Sequence, residues 1–148
     1  MPWTKASCFL ALCLLILTSC GKPTPPIRIS DNWVRATAEG QEVGAAYMTM
    51  TSTSDTRLIK VESSVSESVE IHSMLMENGV MKMRMLETLD LKANIPNKLA
   101  PSGFHLMLFD LKKPLVAGQQ VNFTLHFKNP AGKESLLNIT SPVLAEQP

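Results

Sequence analysis

At 148 residues, with 45% apolar content, this chain has the size and composition of one globular domain. Its charges nearly cancel at +1 and only 5% of its residues are aromatic, which argues against a nucleic-acid partner, whether a duplex or a stacked single strand.

Lys5 precedes an apolar run, Cys8 to Leu17, that has signal-peptide length and is too short to span a bilayer. The run leads into Leu17-Thr18-Ser19-Cys20, which looks like a bacterial lipobox. Residues 1–19 are therefore expected to be removed as a lipoprotein signal peptide. Cys20 would then be lipidated, so that the chain meets the membrane through its lipid anchor alone. Gly21 rather than aspartate follows the cysteine, which in a Gram-negative cell favours the periplasmic face of the outer membrane. Residues 20–26 read as the lipidated cysteine and a proline-rich tether, extended at about 3 Å per residue. The folded domain is expected over 27–148.

Cys8 and Cys13 leave with the signal peptide, and Cys20 is consumed by lipid. The domain then has no free thiol and no disulfide. That excludes thiol–disulfide exchange, a blue-copper site and a binuclear copper centre, each of which needs cysteine.

From Ile27 onward the pattern is β. Ile27 to Ser30 alternates, Asp31-Asn32 interrupts, and Trp33 to Thr37 resumes. Ala45 to Thr53 places Tyr47, Thr49 and Thr51 on one face and Met48 and Met50 on the other, where the two methionines read as core. Ser54-Asp55 is a turn before the strand Arg57 to Ser63. Ser68 to Met76 and Val80 to Met85 flank Asn78-Gly79, the strongest short hairpin signal. Leu89 to Asn97 reads as looser chain, and Phe104 to Asp110 as a strand after the turn Pro101-Ser102-Gly103. Val121 to Phe127 and Glu134 to Val143 close the pattern. His126 lies in the first of these two strands and reads as structural or solvent-facing. Short strands at about ten-residue spacing, with no capped helical period, predict an all-β sandwich or barrel of eight or so strands.

Between His72 and Met107, imidazole and thioether groups recur at two-residue intervals, the side-chain period of a strand. A two-residue loop at Asn78-Gly79 pairs Met76 with Met81, Met74 with Met83 and His72 with Met85, all on one face. His72 is then diagonal to Met83, about 7 Å away between Cβ atoms. His105 and Met107 also share a face, with Leu106 and Leu108 turned to the other. Thioethers are soft and select Cu(I), imidazole binds copper well, and neither donor needs a thiol. The competing reading is packing, since methionine is a common filler of irregular gaps in cores.

The spacing His72-x10-Met83-x21-His105-x-Met107 resembles the signature of the periplasmic copper chaperones called PCu(A)C. The surrounding text is similar too: Trp33-Val-Arg35-Ala, Gly44-Ala-Ala46-Tyr47, Gly79-Val-Met81-Lys-Met83-Arg84, Gly103-Phe-His105-Leu-Met107-Leu and Lys113-Pro114-Leu115. The resemblance runs from about Asn32 to Phe127. It implies a single-domain, cupredoxin-like Greek-key β-sandwich that binds Cu(I) through His72, Met83, His105 and Met107. It also implies a carrier rather than an enzyme, delivering copper to the binuclear centre of cytochrome c oxidase alongside Sco-type proteins. Met74, Met76, Met81 and Met85 are left to shielding or packing. A copper buffer with the same site and a metal-free lipoprotein module are the alternatives. Thr140 to Pro148 holds neither histidine nor methionine, unlike the tail of some members, so no Cu(II) site is expected there.

Overall fold

The computed structural model describes residues 26–148; the expected signal peptide, Cys20 and all of the tether before Pro26 lie outside them. Among the described residues ten strands form and no helix does. They are β1 (Ile27–Arg35), β2 (Gly44–Ser52), β3 (Thr56–Ser63), β4 (Ser66–Glu77), β5 (Val80–Leu86), β6 (Leu89–Leu91), β7 (Asn97–Leu99), β8 (His105–Leu111), β9 (Gln120–Lys128) and β10 (Glu134–Leu144). Two of them, β6 and β7, fall where the sequence reads as looser chain.

The strand path β4-β8-β2-β1-β10-β9-β3 returns on itself through a β3–β4 pairing at Val61 and Val69, so these strands form a closed barrel. Closure removes most free edges. Strands β5, β6 and β7 are additions, and β5 is an edge strand paired only with β4. The pairings are antiparallel except β1–β10, which is parallel at Val34↔Val143.

The core is filled by alternate residues of each strand: Met48 and Met50 of β2, Leu106 and Leu108 of β8, and Phe123, Leu125 and Phe127 of β9, each at most 1% exposed. Met48 and Met50 are core residues, as their period predicts. Burying side chains of this kind contributes roughly 1.5–3 kcal/mol each.

Asp31-Asn32 does not divide two strands. It is a bulge inside β1, with Asp31 at φ 51° and the register slipping between Ser30 and Trp33. The extra residue reverses which parity faces inward. Ile27 and Ile29 point to the core before it, Val34 and Ala36 after it. Trp33 is thereby turned to the opposite face beside Tyr47, with the ring centroids 4.6 Å apart. Asn32 fixes the bulge by donating from Nδ2 to the Thr140 carbonyl and the Ser141 hydroxyl, both at 2.8 Å.

His126 is mostly covered on the outer face of β9, and its Nε2 lies 2.6 Å from Glu62. Lys60 and His126 together hold the Glu62 carboxyl below its ordinary range. This matches the structural role expected for that histidine.

Asp55 ties the short strands to the barrel. Its carboxylate accepts from the Ala93 amide and from Lys92, both at 2.9 Å, and the amide bond is the larger cause of its lowered pKa. A carboxyl depressed on folding stabilises above its unfolded pKa and loses that contribution as pH falls through the folded value. Asp55→Ala is therefore expected to lower Tm by a few degrees near neutral pH. Calorimetry should show the two proteins converging once the pH is below the ordinary value of 3.8.

Candidate metal centre

The hairpin forms as its turn dictates. Asn78 and Gly79 both adopt positive φ, 51° and 78°, which is the type I′ geometry matched to strand twist. The rungs Glu77–Val80, Met76–Met81, Met74–Met83 and His72–Met85 follow from it.

The step that spacing could not supply is where β8 lies. It lies directly beside β4 on the side away from β5, and its register sets His72 opposite His105 and Glu70 opposite Met107. Three adjacent strands therefore present Met83, His72, His105 and Met107 on one face, with β4 in the middle. Ile71, Leu106 and Leu108 from the same strands face the core. The two imidazole centroids are 5.9 Å apart. Phe109, two residues beyond Met107, packs 6.0 Å from the His72 ring.

The histidines are oriented by the hydrogen bonds they make. His105 places Nδ1 3.0 Å from the Gly103 carbonyl. A carbonyl can only accept, so Nδ1 carries the proton and Nε2 keeps its lone pair. His72 places Nε2 2.8 Å from the Glu70 carboxylate, so here Nε2 is the donor and Nδ1 keeps the lone pair. That Nδ1 is buried and has no hydrogen-bond partner among the described residues. A buried acceptor left unmatched is costly unless something coordinates it. The carboxylate–imidazole pair is also the arrangement that holds metal-binding histidines in their tautomer.

The four candidates differ in exposure. His72 and His105 are 9% and 4% exposed, whereas Met83 on the edge strand is 49% exposed. Met107 lies between, half-buried beside Ala45 of β2. Met76, Met81 and Met85 are also exposed, at 64%, 43% and 58%, so they do not pack the core as one reading of the stripe held. Among the described residues no three His, Cys, Asp or Glu side chains gather to hold an ion. The donors that adjoin the two imidazoles on this face include thioether sulfurs, and sulfur with imidazole is a soft donor set.

Two neighbours of the site are absent from the sequence reading. Glu70 lies two residues before His72, and Phe109 two after Met107, so the same period of two that marks the ligands would have found both. A third feature needed the β1 bulge: Arg35 lies over Trp33 and Tyr47, 5.9 and 5.7 Å from their centroids. Burial raises the Tyr47 pKa, opposed in part by Arg35. This stack borders the site on the β2–β1 side.

Residues 27–143 match the family described as "Putative lipoprotein LpqE-like". The protein called "Putative lipoprotein Lxx21020", from Leifsonia xyli subsp. xyli, is 30% identical over 132 residues, covering 81% of this chain and 80% of that one. Among solved structures, the chain is similar to the "Copper-bound PCuAC domain from PmoF2", with 27% identity and a TM-score of 0.64 over 82% of this chain and 94% of that one. It is also similar to apo-DR1885 from Deinococcus radiodurans, with 27% identity and a TM-score of 0.60 over 99% and 95% of the two chains. The form of that protein described as CuI-DR1885 gives 28% identity and a TM-score of 0.57, covering 86% and 84%. The barrel described above is thus the cupredoxin-like β-sandwich of these domains. The chain belongs to the LpqE-like group of the PCuAC family.

Proposed function

We propose that this protein is an extracytoplasmic Cu(I) carrier, held to a bacterial membrane by lipid on Cys20. It binds one ion through His72, Met83, His105 and Met107 and delivers it to the copper-bearing subunit of cytochrome c oxidase, alongside Sco-type proteins. The observation that carries this reading is the unpartnered, buried Nδ1 of His72. It sits beside His105, on a face that otherwise offers thioethers. The copper-bound relatives support the identity of the ion, and the lipoprotein relative supports the anchor and an extracytoplasmic location.

The geometry suits transfer better than storage. The buried imidazoles are pre-oriented and cost little to organise, while exposed Met83 can leave and return without disturbing the core. An acceptor thiolate or imidazole would replace Met83 first and the deeper ligands afterwards. Copper stays Cu(I) throughout, so no redox partner is needed. The ligand set supplies no activated nucleophile or carboxylate pair of its own, which supports a carrier.

Three outcomes test this. In anaerobic chelator competition, His72→Ala and Met83→Ala should each weaken Cu(I) binding at least tenfold. Binding by the parent should also weaken as the pH is lowered, because protons compete with Cu(I) for the imidazole lone pairs. Unchanged affinity in both variants would remove these residues as ligands. Glu70→Gln, which keeps the shape but loses the carboxylate, should weaken binding about 10–100-fold, the usual effect of an outer-shell partner; an affinity equal to the parent's would leave Glu70 without that role. Finally, the loaded protein mixed with an apo-oxidase copper fragment should lose its ion to the fragment. Retention of copper by the loaded protein would sink delivery and leave copper buffering.

A further inference from the structure

Beyond His72, strand β4 leaves its neighbour β8. The β4–β8 ladder ends at His72↔His105, and past it only the Met74 amide reaches across, to the Gly103 carbonyl. From Met74 to Met83, β4 and β5 have no ladder partner but each other among the described residues. This ribbon extends past the sheet and carries four methionines on one face, Met76 opposite Met81 and Met74 opposite Met83. Among the described residues nothing covers the tip of that face: Met76 is 64% exposed and Met81 43%. The ribbon's charged groups are on its other face, where Glu77 binds Lys82 and Arg84.

An exposed pair of strands gains nothing from methionine as packing. β-branched or polar residues would form the ribbon better. Thioethers in a two-by-two grid do suit a soft ion. Opposed Cβ atoms are about 5 Å apart and successive same-face residues about 7 Å apart along a strand. Three rotatable bonds per side chain let several sulfurs converge on one ion with bonds of about 2.3 Å. The face offers neither carboxylate nor imidazole, so harder ions have nothing to prefer.

We infer that Met74, Met76 and Met81 form a second, thioether-only Cu(I) site at the end of the ribbon, with Met83 shared between it and the histidine site. Cu(I) arrives at the exposed sulfurs and passes inward when Met83 turns from one set to the other. The transfer exchanges the bonds to Met74, Met76 and Met81 for bonds to the two imidazole lone pairs and Met107, with Met83 kept as a ligand, no change of oxidation state and no proton released. This inference goes beyond the carrier reading and does not require its acceptor to be correct.

The test is anaerobic Cu(I) loading of the full chain, with stoichiometry read by native mass spectrometry and the tight affinity by chelator competition. The parent should take two ions. The double variant Met76→Leu/Met81→Leu, which keeps the volume of exposed side chains, should take one and retain the tight affinity. His72→Ala/His105→Ala should take one ion at an affinity at least tenfold weaker. X-ray absorption of the doubly loaded parent should show more sulfur per copper than the singly loaded form. A parent that takes one ion, or a leucine variant that still takes two, overturns the ribbon site and leaves the histidine site untouched. If the histidine variant kept the tight affinity and lost no ion, the carrier's ligand set would fail while a leucine variant short of one ion still upheld the ribbon.

Discussion

The register between β4 and β8 is the constraint on which the site depends. Ile71, Leu106 and Leu108 must face the core, and because side chains alternate, His72, His105 and Met107 must then face away from it. A slip of one residue would bury the imidazoles among leucines and expose the leucines. The apolar residues therefore fix the donor positions without contacting an ion. Burial of Leu106 and Leu108, each fully inaccessible, sets the His72–His105 distance more firmly than any polar contact at the site.

The local hydrogen bonds then decide what those donors can do. A histidine pair at 5.9 Å could bind each other's protons or a shared water; here each ring already has a partner for one nitrogen. Glu70 lies on β4 with the ring it orients, and Gly103 lies in the turn just before β8, two residues away in each case. The strand period that aligns the ligands also aligns their supports. Site and support are thus one pattern, and Glu70 belongs to it as much as His72.

How much of this was legible in the sequence follows from the range of each interaction. The hairpin pairs were readable because a two-residue turn at Asn78-Gly79 leaves no freedom in the register beyond it. Met48 and Met50 were readable as core from alternation with Tyr47 and Thr49. The β8 position was not: adjacency of strands more than twenty residues apart is decided by closure of the barrel, which no local spacing encodes. The bulge at Asp31 was hidden for a different reason. An Asp-Asn pair marks a turn as readily as a bulge, and only the parity change from Ile29 to Val34 distinguishes them. β6 and β7 are three residues each, too short for any period to show.

The uneven exposure of the donors gives the site a direction. Two imidazoles are fixed in the sheet, Met107 is half-covered, and Met83 stands on an edge strand continuous with the projecting ribbon. Exposure falls from Met76 at the tip to His105 at the barrel. For a bound ion, each inward step exchanges a mobile sulfur for a donor whose orientation has already been fixed by folding. On the proposed ligand set, affinity would increase inward while access decreases, so that an ion would enter and leave by the same sulfurs. An acceptor that reaches the β5 edge meets the weakest bond first. Edge strands are normally shielded to prevent association; here β5 stays open with Lys82 and Arg84 on one face and methionine on the other. That combination limits nonspecific pairing through charge while leaving the sulfur face approachable.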